Sequence, residues 1–325
     1  MQLGMQAALW PSEHQTLGSA EYRDLARDLR PGFLAGLRAL RIDTSQAEAL
    51  MRAYLPLAAW IRQQKGEQSA FVLGINGAQG TGKSTLSVCL RLILQEAYGV
   101  RVAAFSIDDL YKTHEERERL GREIHPLLVT RGVPGTHDVR LGLDVLDALT
   151  GGTNDSIALP SFDKARDDRR PQAEWPVVQG PVDIVLLDGW CVGATAQDDD
   201  ALAQPVNELE VRDDANGAWR RYANEALKGE YAELFARLDR LIMLKVPNLA
   251  CVYEWRALQE DKLARVAART GQHRLMDSSG LKRFIMHYER LTRHMLAEMP
   301  DRADVVLYLD EHHQFTAIHV NHQAR

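Results

Sequence analysis

From Ala70 onward, short apolar runs alternate with stretches of helical spacing. Phe71-Val72-Leu73-Gly74-Ile75 and Val182 to Leu187 (V-D-I-V-L-L) read as buried strands, as do Arg101 to Ser106, Arg240 to Val246 and Val305 to Leu309. Ser156 to Pro160 is a shorter candidate. Between them, Lys83 to Ala97, Val139 to Leu149, Ala250 to Thr270 and Ser278 to Glu298 carry apolar residues at helical spacing, and Gly151-Gly152 closes the second of these. Such alternation predicts an α/β fold, a parallel sheet flanked by helices, in which ligands gather at the carboxyl ends of the strands. Upstream, Leu34, Leu37 and Leu40, then Ala49, Leu50, Tyr54, Leu57 and Trp60, recur at roughly helical spacing, with Asp43-Thr44-Ser45 as a cap between. Residues 1–68 are therefore expected to form an N-terminal helical extension packed on a main domain of residues 69–325. Pro160 to Pro176 and Gly193 to Ala218 read as charged loops, the second, with Asp198-Asp199-Asp200, as a solvated insertion.

Composition narrows the class. The 325 residues are 45% hydrophobic and 26% charged, ordinary for a soluble globular protein with an ample core. A net charge of −6 argues against a broad electrostatic grip on nucleic acid, but leaves room for small anionic substrates held by local cations. Cys89, Cys191 and Cys251 fit neither a disulfide framework nor a zinc spacing, which suggests a reducing cytoplasm. Met1 to Ala20 lacks the apolar stretch of a signal peptide, and no apolar run approaches membrane-spanning length. The expectation is a cytoplasmic protein of unstated oligomeric state.

The strongest chemical signal follows the first strand. Gly77, Ala78, Gln79, Gly80, Thr81, Gly82, Lys83 and Ser84, with Thr85 next, spell G-x-x-x-x-G-K-[ST] between a strand and a helix. Glycines let backbone N–H groups curl around a phosphate, and the helix start adds its positive dipole end. Lys83 would reach the β- and γ-phosphates of a nucleoside triphosphate, and the Ser84 hydroxyl would take a Mg²⁺ position. Asp188, ending an apolar strand before Gly189, is the second metal candidate.

Four more segments carry candidate chemistry. Ser106 to Tyr111 places Asp108 and Asp109 at a strand end; Asp108 is preferred as general base for an acceptor hydroxyl, Asp109 is the alternative, and Tyr111 adjoins them. Arg131, His137 and Asp138, in R-G-V-P-G-T-H-D, suit an anionic, hydroxylated ligand: cations for a carboxylate, a carboxylate for hydroxyls. Asp163, Lys164, Arg166 and Arg169 lie in a run with four cations that suits a mobile clamp on substrate carboxylate or transferring phosphate. Arg256 and Lys262, on the helix opening with Tyr253-Glu254-Trp255, would close over the triphosphate as a lid.

Taken in order, G-A-Q-G-T-G-K-S-T (77–85), S-I-D-D-L-Y (106–111), R-G-V-P-G-T-H-D (131–138), P-S-F-D-K-A-R-D-D-R (160–169), L-L-D-G-W-C-V-G (186–193) and V-Y-E-W-R-A-L-Q-E (252–260) resemble the D-glycerate 3-kinase family. That family is a branch of the P-loop kinases related to phosphoribulokinase, uridine kinase and pantothenate kinase. The likeness covers about residues 70–310, ending with a similar terminal helix at 281–296. It implies a P-loop NTPase fold and ATP- and Mg²⁺-dependent phosphorylation of a small hydroxy acid, D-glycerate foremost. It matches Asp108 to the proposed base, and Lys83 and Ser84 to the nucleotide and magnesium positions. Leu110 stands where an aromatic is usual, and Asp188 where several relatives carry glutamate. A kinase for a nucleoside or pantothenate is the same-class alternative. A regulatory NTPase is the other, although the chain has no [NT]-K-x-D segment for reading guanine.

Overall fold

The structure is a computed structural model that describes residues 9–258 and 278–321. Helices α1 (Ser19–Ala39) and α2 (Ala47–Lys65) precede strand β1 (Phe71–Gly77), helix α3 (Lys83–Tyr98) and strand β2 (Val102–Ser106). Helices α4 (His114–Glu123) and α5 (Val139–Thr150) lead into four short strands, β3 (Ser156–Ala158), β4 (Phe162–Asp163), β5 (Asp168–Arg169) and β6 (Val177–Gln179). The chain returns through β7 (Ile184–Gly189), α6 (Glu208–Asp213), α7 (Ala218–Lys228), α8 (Glu230–Phe235) and β8 (Arg240–Lys245). A helix over 249–258 is α9, followed by α10 (Ser278–Glu298), β9 (Val305–Leu309) and β10 (Phe315–Val320).

Six strands form one sheet in the order β10-β9-β8-β1-β7-β2. The five from β9 to β2 are parallel, and their two-residue periodicity splits the core. Phe71, Leu73 and Ile75 of β1 face one side with Leu86, Leu90 and Ile93 of α3, together with Phe33 and Leu37 of α1 and Leu55 and Ile61 of α2. Val72 of β1 faces the other side with Leu187, Leu146, Tyr231 and Met295. A strand covered on both faces must be apolar throughout, which is why β1 reads as a continuous run. Helix α3 ends at Gly99 in the left-handed region, whose N–H returns to Gln95 O. Among the described residues no helix is long and apolar enough to cross a membrane.

Three features depart from the sequence reading. The sheet is not wholly parallel: β10 pairs antiparallel with β9 at the edge. Its F-T-A-I-H-V pattern buries little beyond Ile318, as a one-sided edge strand requires. The Gly193–Ala218 stretch is not a solvated insertion throughout. Asp198, Asp199 and Asp200 are exposed, but Leu202 and Leu209 are buried, and so is Glu210, which pairs with Arg290 of α10 at 2.7 Å. The strand candidate at Ser156 lies outside the main sheet, pairing as β3 with β6. Residues 259–270 of the expected long helix, Lys262 included, lie outside the described residues.

Candidate active site

Strand register assembles the site. Asp188 on β7 stands opposite Ile75 of β1 on one side and Ser106 of β2 on the other. The phosphate-type loop, Asp188 and the Ser106–Tyr111 turn therefore meet at the carboxyl ends of three adjacent strands. At their back, Asn76 Nδ2 donates to Trp190 O at 3.1 Å and Val192 O at 2.8 Å, fastening the end of β1 to the segment after β7.

The loop's glycines answer two different needs. Gly80 (φ 83°) passes so close to Trp255 that a Cβ there would lie 2.9 Å from the tryptophan Cβ. Gly82 (φ 93°) caps α3 in the left-handed region, and a Cβ there would meet nothing within 4 Å. The loop thus closes against Trp255 at one point and opens onto free space where the helix begins and backbone N–H groups lack intrahelical partners. Lys83 Nζ donates to Gly77 O at 2.6 Å and Ala78 O at 2.9 Å, and Thr81 Oγ1 donates to Ala78 O at 2.9 Å. Burial pushes the Lys83 ammonium below its ordinary value, against the pull of Asp188 and Asp108. Gln79 and Thr85 are half-buried, and Ser84 is exposed on the first turn of α3. Arg256 lies beside Trp255 on α9, its guanidinium 5.3 Å from the Phe284 ring centre.

The two neighbouring aspartates have different surroundings. Ser106 and Asp109 form a reciprocal cap, and Asp109 accepts from the N–H groups of Ser106 and Phe162, both at 3.3 Å. Asp108 accepts from Tyr111 OH at 3.0 Å and from Lys164 Nζ at 2.6 Å. Burial acts to raise the Asp108 carboxyl, but Lys164, with Lys83 behind it, holds it well below the usual carboxylate range. Asp188 is 8% exposed, and its carboxyl is raised by burial, with Lys83 opposing.

Asp109 is pushed up to about 6, chiefly by burial. Its folded value exceeds the 3.8 of the free side chain, so it favours the folded state most at low pH, and that contribution is lost as pH rises through about 6. Urea titrations at pH ~4 and ~7 should show wild type losing on the order of 2–3 kcal/mol relative to Asp109→Asn over that interval. Parallel pH dependence in the two proteins would mean that Asp109 ionises normally.

The remaining candidates divide into accessible and committed groups. Lys164 has a side chain 60% exposed, and Arg166 one 75% exposed. Arg131 is held by Asp167 and lies 5.6 Å from the Phe162 ring centre. His137 does not supply a cation. It is fully buried, stacked on Tyr111 with centroids 4.5 Å apart, and burial drives its imidazole down to about 3, so it is neutral near pH 7. Asp138 caps α5 through Leu141 N–H and pairs with Arg169 at 3.1 Å; Arg169 also donates to Tyr111 O. Asp163 accepts from the N–H groups of Ala165 and Arg166, shaping the turn that presents Lys164.

Four supports escaped the sequence reading. Arg117 is fully buried, donating to the carbonyls of Lys112, Val129 and Asp167 and pairing with the Asp167 carboxylate at 3.1 Å. Tyr231 OH accepts from the N–H groups of Gly135 and His137. Tyr288 of α10 donates to Arg131 O at 3.2 Å and fills the space where a Gly132 Cβ would sit. Asn76 is the fourth. A buried-looking asparagine in an apolar strand was the one available signal; the others sit in helices whose periodicity reads as core or surface.

No protein-family model matches the chain. The uncharacterized kinase mug58 of Schizosaccharomyces pombe is 32% identical over 236 residues, covering 70% of this chain and 81% of that protein. The chloroplastic D-glycerate 3-kinase of Arabidopsis thaliana is 26% identical over 287 residues, 82% of this chain but only 60% of that longer protein. A D-glycerate 3-kinase structure from Cryptococcus neoformans shares the fold with a TM-score of 0.69 at 24% identity, over 83% of this chain and 99% of that one. With a strand–loop–helix phosphate cradle, a strand-end carboxylate beside it and a relative of this similarity, the chain is a kinase belonging to the P-loop family that includes D-glycerate 3-kinase.

Proposed function

We propose that this kinase transfers the γ-phosphoryl group of ATP to the primary hydroxyl of D-glycerate, yielding 3-phosphoglycerate. The observation that carries the reading is the pairing of Asp108 with Lys164, an acid and a cation side by side across from Lys83 and Asp188. A hydroxy acid presents the complementary pair, a hydroxyl for the base and a carboxylate for the cation. The similarity to the D-glycerate 3-kinase of Arabidopsis thaliana supports the same acceptor.

In this reading Lys83 leaves the carbonyls of Gly77 and Ala78 for the β- and γ-phosphate oxygens, joined by the amides at the start of α3. Asp108 orients the acceptor hydroxyl and takes its proton as the new P–O bond forms and the bond to ADP breaks. Arg131 and Lys164 hold the acceptor carboxylate, and Arg256 closes on the nucleotide side. Positioning and charge neutralisation supply most of the acceleration. The donors at the loop suit Mg²⁺: Ser84 hydroxyl and Asp188 carboxylate are hard oxygen ligands, and a magnesium site bound partly through substrate phosphates needs no all-protein cage. Bound there, Mg²⁺ would neutralise charge on the phosphates.

The test is ADP release by the purified full chain with ATP and Mg²⁺ across D-glycerate, pantothenate, uridine and water. Release that depends on D-glycerate, with 3-phosphoglycerate as product, is expected. Turnover on another acceptor and none on D-glycerate would refute the assignment.

A further inference from the structure

Both oxygens of Asp108 are occupied in the structure. Tyr111 OH donates to Oδ1 at 3.0 Å, and Lys164 Nζ donates to Oδ2 at 2.6 Å. A carboxylate in that state is a poor proton acceptor, since an adjacent ammonium stabilises its charged form. The two partners differ in how firmly they are held. Tyr111 is 3% exposed and stacked on the buried His137. The Lys164 side chain is 60% exposed, so its ion pair is screened by solvent and readily exchanged for another anion.

Lys164 opens the four-residue turn between β4 and β5, and the backbone of that turn is anchored on both sides. Asp167, just before β5, is gripped by Arg117 and Arg131, and Asp163, just before Lys164, accepts from the Ala165 and Arg166 N–H groups and pairs with Arg170 at 3.1 Å. The turn backbone stays in place while the exposed lysine side chain can swing.

We propose that Lys164 is a latch on the general base, released when the acceptor's own carboxylate takes the ammonium away from Asp108. The proposal rests on the reading that Asp108 is the base for an anionic acceptor. It adds what that reading lacks, a reason for the enzyme not to spend ATP on water. Water carries no anion to draw Lys164 off, so Asp108 stays paired and the attacking oxygen keeps its proton. A hydroxy acid brings the displacing carboxylate on the same molecule as the reacting hydroxyl. The proton of that hydroxyl passes to Asp108, the oxygen bonds to the γ-phosphorus, and the electron pair of the broken P–O bond leaves on ADP. Lys164 is thus a specificity determinant: it discriminates against water and neutral polyols.

The experiment compares wild type, Lys164→Met and Lys164→Arg in ADP release with ATP and Mg²⁺, using no acceptor, glycerol or D-glycerate. In Lys164→Met, acceptor-independent release should rise about tenfold, as an unlatched base becomes available. D-glycerate kcat/KM should fall about a hundredfold with the lost charge-assisted contact, so the ratio of glycerol to D-glycerate use rises. Lys164→Arg, which keeps the charge, should restore part of the suppression. Melting temperature reports the fold, which an exposed side chain should scarcely affect. Acceptor-independent release that stays at the wild-type rate in Lys164→Met would overturn the latch, whatever happens to D-glycerate. That arm needs no acceptor, so it reads the latch even if the D-glycerate assignment itself fails in wild type.

Discussion

Replacing Lys83 by alanine is expected to lower kcat on the order of 10³-fold, comparable to removing a principal charge-stabilising donor from other active sites. Its ammonium lies within the phosphate loop, donating to the Gly77 and Ala78 carbonyls at 2.6 and 2.9 Å. Those contacts hold it in reserve, because carbonyl oxygens are weaker partners than phosphate oxygens. Burial that lowers its proton affinity also means that water does little to screen it once phosphate is bound. Steady-state ADP formation checks the rate, and calorimetric titration with ATP separates loss of binding from loss of chemistry. A kcat equal to wild type would remove the loop lysine from the reaction.

How far the sequence reveals this site depends on whether each feature is local. The 77–85 loop was legible because strand, glycines, lysine and helix follow one another within a single stretch. Strands β1, β2, β7, β8 and β9 were legible because a parallel sheet covered on both faces demands unbroken apolar runs. The burial of His137 was not, since it depends on Tyr231, 94 residues away, meeting the loop from α8. Arg117 sits in H-E-E-R-E-R-L, which reads as a solvated helix face, yet its partners come from Val129 and Asp167 and leave it fully buried. In the same way the Asp198–Asp200 run advertised solvent exposure, while the buried Glu210–Arg290 pair, 80 residues apart in the chain, left no local mark. Local punctuation identifies the phosphate loop; the surroundings of Asp108 and Asp167 are built from pairs distant in the chain.

Asp108, the preferred base from the sequence, and its alternative Asp109 are separated by kinetics. Asp108→Asn is expected to lower kcat by 10²–10⁴-fold, the usual range for a general base, while the ATP dissociation constant changes by less than about threefold. The substitution keeps the shape that Tyr111 and Lys164 contact and removes the proton acceptor. Asp109→Asn should cost far less in kcat, because Asp109 spends its oxygens on the Ser106 and Phe162 N–H groups, tying the β2 end to the β4 strand. Its loss loosens a support, and an amide oxygen still satisfies one of the two donors. Single-turnover rates for both variants, with ATP binding measured alongside, make the comparison direct. If Asp109→Asn proves the slower of the two, the proton must leave toward the capping aspartate, and the Lys164 pair would then mark a structural contact beside the reaction path.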